Sequence, residues 1–456
     1  MQTNVNAAVS PSHYCPLLAL TGQWAAQCAR PWWWFAADET DWMPPESRAL
    51  SVRLSAVLVW GVLSGPGLWS FVAFGQDQPA TRPAAALHVI ELLAARNPPL
   101  DLRAGLLVVP DSIGDERHQK LRAYAKDLAG GTRDDELSRL LRISAWVHQR
   151  IQHDNFNAAP AQATALDILN RAARGEHFSC VEFSRVLKET LAAFGYVART
   201  LSVQSPAVAY GPLGSGHVAS EVWSNALDKW VFVDAQWGVY ARLDARPLSF
   251  YELYRLKQDG RFNDVRFVSL NASAQHDEPA ARAHQEEYRH FIANYFGYLS
   301  VRYTQAEQVA NLVLPLDGAA LALTFQGLGR SGQLFTTEPR DHYFTLNHTN
   351  ILLYYRDQPT AKRPHGQIDI ADPDDYLARM SEFAATPDYL VVLHHNMPWF
   401  DHFEVALDEA PWQRLDDNAF TWSARIGTQT LKVRAVNEVG VVGPVSSLTL
   451  RYGPAR

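Results

Sequence analysis

Three residues with the types needed for nucleophilic catalysis follow one another along the chain: a cysteine at 180, a histidine at 217 and an aspartate at 234. Cys180 lies in FSCVEFSRVL, residues 178–187. Ser179 followed three residues on by Glu182 is a capping-box pattern, so the spacing predicts a helix starting there. That helix places Cys180, Phe183, Leu187, Leu191 and Phe194 on one face, and Gly195 is suited to end it. Cys180 then sits in the first turn, where unpaired N–H groups and the helix dipole favour the reactive thiolate. The competing reading is an inert packing thiol, because Cys is among the most often buried residues. A base beside it decides between the two.

The base must come from farther along the chain, and GHVASEVWSNALDKWVFVDAQW begins at Gly216. Two strand-like runs, His217 to Trp223 and Asp228 to Asp234, flank Ser224 to Leu227 as a hairpin loop. Antiparallel partners keep a constant residue-number sum, so pairing Trp223 with Asp228 sets Glu221 opposite Trp230, Ala219 opposite Phe232 and His217 opposite Asp234. A slip of one residue would destroy that match. In this register Asp234 accepts a hydrogen bond from one His217 nitrogen and leaves the other to take a proton from Cys180. Taken singly, His217 reads as a satisfied surface histidine and Asp234 as a turn residue. Glu182 and Glu221 do not form a catalytic carboxylate pair on this reading: Glu182 caps its helix, Glu221 supports the hairpin face, and Arg199 is structural.

The elements carrying these residues resemble a known family. A Cys-x-Glu opening a helix, then GYVAR, then HVASEVW, then WVFVD is similar to the transglutaminase-like superfamily of bacterial and archaeal proteins, over roughly residues 135 to 245. The resemblance implies a papain-like core with Cys180 as nucleophile, His217 as general base and acid, and Asp234 as the orienting carboxylate. Ser179 and Ala219 depart from the family, which often has Gly before the nucleophile and an aromatic residue two places after the His. Both departures bear on substrate fit.

The rest of the chain bounds the function. A net charge of −7 with no long run of like charge argues against nucleic acid as a partner. The three cysteines, Cys15, Cys28 and Cys180, show no zinc spacing, so no metal and no cofactor is expected. Residues 54–76 carry no charge, and the Gly65-Pro66-Gly67 break suits the apolar part of a signal peptide better than a continuous spanning helix. Translation from Met43 would put Arg48 and Arg53 before it and a small-residue cleavage site at Ala73 to Gly75. The expected location is then exported or membrane-anchored, with Cys180 the sole remaining cysteine. If 54–76 is instead a core segment, the protein is cytoplasmic.

Residues 86–97, ALHVIELLAARN, have amphipathic helical spacing, as have 134–152. From about Val301 the pattern turns to short β-type runs, and residues 403–453 resemble the last strands of an immunoglobulin-like or fibronectin type III-like sandwich. The expected fold is α+β: a papain-like core, with the Cys helix packed on an antiparallel sheet carrying His and Asp, followed by a β-sandwich-like region. The expected organisation is an N-terminal segment at 1–76, a helical region at 77–134, a catalytic domain at 135–300, a β-rich region at 301–384 and an immunoglobulin-like domain at 385–456. The expected activity is acyl transfer or hydrolysis at peptide or isopeptide amides, cell-wall peptides among them. The alternatives are a non-catalytic envelope scaffold and a β tail that binds carbohydrate or protein.

Overall fold

A strand opens the described chain where periodicity favours a helix. The computed structural model describes residues 88–128, 135–208, 215–271, 278–305, 308–318, 332–355, 372–375 and 387–454. They belong to one unit, 86–456. The stretch 54–76, the start at Met43 and both other cysteines lie outside the described residues. No helix among the described residues is long and apolar enough to cross a membrane.

In chain order the described elements begin with β1 (His88–Arg96), α1 (Glu116–Tyr124), α2 (Glu136–His148), β2 (Gln152–His153), α3 (Ala165–Ala172) and β3 (His177–Phe178). Next come α4 (Cys180–Ala193), β4 (Ala198–Gln204), β5 (Gly216–Ser224), β6 (Lys229–Asp234), β7 (Val239–Leu243), β8 (Arg246–Pro247), α5 (Phe250–Gln258) and β9 (Arg266–Ser269). After α6 (Glu278–Ile292) the chain is mostly strand: β10 (Tyr298–Gln305), β11 (Gln308–Pro315), β12 (Gln333–Phe335), β13 (Thr349–Tyr355) and β14 (Asp388–His395). It closes with β15 (Phe400–Leu407), β16 (Gln413–Leu415), β17 (Ala419–Ser423), β18 (Gly427–Asn437) and β19 (Ser446–Pro454). The fold is α+β.

The amphipathic helix expected at 86–97 is instead β1, paired antiparallel with β19 from His88↔Pro454 to Arg96↔Ser447. A short apolar run satisfies either period, and here the partner some 360 residues away decides, with Glu91 and Arg451 joined across the pair at 2.6 Å. The expected boundaries are crossed in the same manner. Strand β10, which spans residue 300, and β11 beyond it extend the sheet of β4 and β5, while β13 pairs with β14 across residue 384. The second half of the unit has one described sheet ordered β1-β19-β18-β15-β16 and another ordered β13-β14-β17, sharing a core that includes Leu393, Trp422, Phe403 and Leu431.

The sheet that positions the site runs β12-β11-β10-β4-β5-β6-β7-β8, with β9 also on β7. Its two faces are covered differently. Helix α4 packs on the face carrying Val222, Val231 and Val233, where Ser184 Oγ donates to Ala219 O at 3.0 Å and meets Ser220 Oγ at 2.8 Å. Helices α5 and α6 cover the other face, against Ala219, Phe232 and Leu299. Helix α2 presents Leu140, Ile143 and Val147 to the core, as its three-and-four spacing predicts. Gly195 ends α4 at φ 83°, and a Cβ there would fall 2.4 Å from Val439 Cγ2. Asn437 Nδ2 donates to Gly195 O at 2.9 Å, so the turn between β18 and β19 is fixed to the end of α4.

Candidate functional site

The hairpin that carries His217 and Asp234 forms, in a register different from the expected one. Trp223 pairs with Trp230 and Ser220 with Val233, a residue-number sum of 453 where 451 is expected. The loop is Asn225 to Asp228, with Asp228 in the left-handed region at φ 53°. Glu136, the first residue of α2, clamps it by accepting from Ser224 Oγ at 2.7 Å, Asn225 N at 3.1 Å and Ala226 N at 2.8 Å. The opposed tryptophans meet edge to face at 5.6 Å. Continued one step, the ladder sets Asp234 opposite Ala219 and makes His217 its diagonal neighbour. A shift of two keeps every side chain on its face, so the pair still meets: His217 Nε2 lies 2.7 Å from Asp234 Oδ2.

Both side chains are buried, His217 at 4% exposure and Asp234 at 0%. Asp234 Oδ1 accepts from Trp237 N at 3.1 Å and Oδ2 from the Tyr288 hydroxyl at 2.9 Å. Burial pushes the Tyr288 hydroxyl well above its ordinary pKa, and Asp234 adds to that effect, so it remains a donor. The turn after Asp234 rests on α2, where His148 Nδ1 lies 3.0 Å from Ala235 O. Gly238, at φ 62°, leaves room for that ring, because a Cβ would come within 2.6 Å of it. The His217 ring meets Phe291 edge-on at 4.9 Å and Tyr295 at 5.9 Å.

Cys180 is the first residue of α4, half-buried, after an extended Ser179. It is close enough to His217 to help raise the pKa of that ring. Because Nε2 faces Asp234, Nδ1 is the His217 nitrogen left for the thiol. Burial alone would depress the His217 pKa, but Asp234 and then Cys180 outweigh it and raise it from 6.5 to about 9. The arrangement can hold an imidazolium between a carboxylate and a sulfur. A helix N-terminus at the end of a sheet thus meets side chains from the sheet's opposite face.

This constellation coincides with a family match, because residues 122–235 fit the transglutaminase-like superfamily. Those residues form a transglutaminase-like domain. The domain contains all three residues singled out from the sequence, and the structure brings them together. Among solved structures, a Cytophaga hutchinsonii protein assigned as a cysteine protease is similar at 19% identity and a TM-score of 0.22, covering 30% of this chain. This chain spans about half, 48%, of that protein. Red sea bream transglutaminase is similar at 10% identity and a TM-score of 0.21, covering 75% of this chain and 73% of its own. No functionally curated protein matches.

Around these three residues the surroundings depart from expectation. The capping box at Ser179 does not form: Ser179 Oγ donates to Glu182 Oε2 at 2.6 Å rather than accepting a backbone N–H. Glu182 turns instead to the loop before the nucleophile and accepts from Ala159 N at 3.1 Å. Glu221 supports the hairpin through a buried network away from the triad, pairing with Arg199 at 2.5 Å and accepting from Phe250 N at 2.8 Å and Tyr343 Oη at 3.1 Å. Arg199 lies near the start of β4, and its guanidinium stands over the Trp230 ring, 4.1 Å from its centroid.

Sequence reasoning missed Tyr288, Phe291 and Tyr295. Their three-and-seven spacing beyond Tyr288 marks one face of a helix, but nothing in it points to Asp234 or His217. Trp237, three residues after Asp234, supplies its backbone N–H and sets its ring, tilted, 4.8 Å from that of Phe291. Among the described residues no group of three His, Cys, Asp or Glu stands close enough to hold a metal ion.

Proposed function

We propose that the protein is a thiol enzyme that transfers acyl groups from peptide or protein amides to water or an amine. Cys180 Sγ attacks the amide carbonyl carbon and the π pair moves to oxygen. Collapse of that intermediate breaks the C–N bond, and the amine leaves with the proton held by His217. His217 then takes a proton from the acceptor, which cleaves the thioester and restores the thiol. Asp234 holds the ring orientation throughout. The Cys180 backbone N–H, at a position with no acceptor within its own helix, points to one donor for the oxyanion.

The observation that carries this reading is the buried 2.7 Å bond between the His217 imidazole and the Asp234 carboxylate, with Cys180 at the start of α4 close enough to help raise the His217 pKa. A scaffold has no physical need for it. The charge-free stretch at 54–76 favours an exported or membrane-anchored enzyme, with cell-wall peptides as candidate substrates.

The test is the rate of iodoacetamide labelling of Cys180 against pH, in the native protein and in His217→Ala, with the labelled residue located by mass spectrometry. Labelling is expected to stay fast well below the ordinary thiol pKa of about 8.5 and to slow without His217. Slow native labelling, or labelling indifferent to His217, makes Cys180 a packing residue and refutes the proposal.

A further inference from the structure

We propose that His153 is a catalytic residue of this site, its imidazole N–H donating to the oxyanion formed when Cys180 attacks an acyl carbonyl. The inference rests on the acyl-transfer reading above and supplies the donor that the Cys180 backbone N–H lacks as a partner.

The backbone puts His153 beside the nucleophile. Strand β2 runs parallel to β3, with His153 opposite Phe178, two residues before Cys180. Asp154 N donates to Phe178 O at 2.9 Å and Ser179 N to Asn157 O at 3.1 Å. Asn157 Nδ2 donates to His177 O at 2.6 Å. The segment that starts at His153 is therefore stitched to the residues on the N-terminal side of the thiol and, through Glu182, to the first turn of α4. A change in the position of Cys180 carries His153 with it.

The side chain is placed to reach substrate. Its ring lies 6.5 Å from that of Phe183, the next residue after Cys180 on the same stripe of α4. It is exposed rather than packed away. It feels the charges of both His217 and Asp234, and none of the influences on it is a hydrogen bond that would occupy a ring nitrogen. Partial burial, and then the His217 charge, depress its pKa below the ordinary value, whereas that of His217 is raised. The two histidines are thus shifted in opposite directions: His217 keeps its proton for the leaving group, and His153 remains a neutral N–H donor.

The test uses two reactions of the same sulfur. Acylation of Cys180 by p-nitrophenyl acetate forms an S–C bond, passes through an oxyanion and expels p-nitrophenolate. Alkylation by iodoacetamide displaces iodide at a saturated carbon and builds no oxyanion. In His153→Ala the acylation rate is expected to fall about 100-fold while alkylation stays within about twofold, the loss typical of removing one oxyanion donor. His153→Gln, which keeps an N–H, is expected to recover part of the loss, and His153→Phe none. Unchanged acylation in His153→Ala, or acylation and alkylation falling together, overturns the role of His153. A wild-type protein that p-nitrophenyl acetate does not acylate at Cys180 instead overturns the acyl-transfer reading and this inference with it.

Discussion

Replacing Asp234 by Asn keeps the size of the side chain and removes its charge, so it separates electrostatics from packing. His217 is raised from 6.5 to about 9 although burial opposes its charge. That rise corresponds to about 3 kcal/mol of preference for the protonated ring in the fold. A raised pKa stabilises the fold fully below the unfolded value of 6.5, and the contribution is lost as pH rises through about 9. In Asp234→Asn the two largest raising influences vanish while burial and the weaker pull of Cys180 remain and oppose each other, so the His217 pKa should fall toward its ordinary value of about 6.5. At pH 8 the protonated fraction then drops from about nine-tenths to about 3%, which alone lowers turnover by about 30-fold. The Asn amide also donates toward Nε2 and favours the tautomer with its hydrogen on Nδ1, which cannot accept the thiol proton. The assay is the pH profile of Cys180 acylation, paired with urea unfolding at pH 6 and pH 10. The alkaline limb should fall from near 9 toward about 6.5, and the stability loss of about 3 kcal/mol at pH 6 should close by pH 10. An unmoved alkaline limb, or an equal loss at both pH values, would refute the claim that Asp234 holds His217 in its charged form.

Other substitutions probe the supports of the site. Tyr288→Phe removes the 2.9 Å bond to Asp234 and should cost about 1–3 kcal/mol in urea unfolding while Cys180 labelling survives. Gly195→Ala combines a left-handed φ with a Cβ 2.4 Å from Val439, so its unfolding free energy should fall by more than about 2 kcal/mol, measured the same way. Arg199→Ala leaves Glu221, at 0% exposure, without its guanidinium, and its unfolding free energy should fall by about 3–5 kcal/mol.

Cys180 was legible because the local pattern and the structure agree: an apolar stripe behind the thiol makes α4, and Gly195 ends it. The cap was not, since a Ser followed three residues on by Glu fits both a capping box and the direct Ser179–Glu182 bond seen here. Glu182 has a loop to hold, and that loop is fixed by contacts no local window contains. Strand β1 failed for the same reason on a larger scale. His88 to Arg96 satisfies two periods at once, and the choice is made by β19 at the far end of the chain. His153 was invisible because nothing in its neighbourhood predicts that a two-residue parallel pairing will set it beside the nucleophile.

The His217–Asp234 pair shows why a wrong register still gave a right contact. Loop position fixes the residue-number sum of a hairpin and loop length fixes whether that sum is odd or even, and the alternation of side chains depends only on the latter. Moving the loop from Ser224–Leu227 to Asn225–Asp228 raises the sum from 451 to 453 and leaves the parity unchanged. His217 and Asp234 stay on one face and exchange direct opposition for a diagonal, which the imidazole's length spans at 2.7 Å. A sum of 452 would have put Asp234 on the face that α4 covers and His217 on the other, with the sheet between them. The tolerance is therefore one of parity, and what enforces it is physical: Glu136 of α2 captures the loop amides of Asn225 and Ala226, and Trp223 and Trp230 oppose on the same face. Glu136→Ala releases that clamp. If the register argument holds, Glu136→Ala should slow Cys180 alkylation at neutral pH toward the rate of His217→Ala, since the thiolate depends on His217 being held by Asp234. Alkylation that stays at the native rate while the unfolding free energy in urea falls would mean that the clamp supports the fold at large and not the facing of His217 and Asp234.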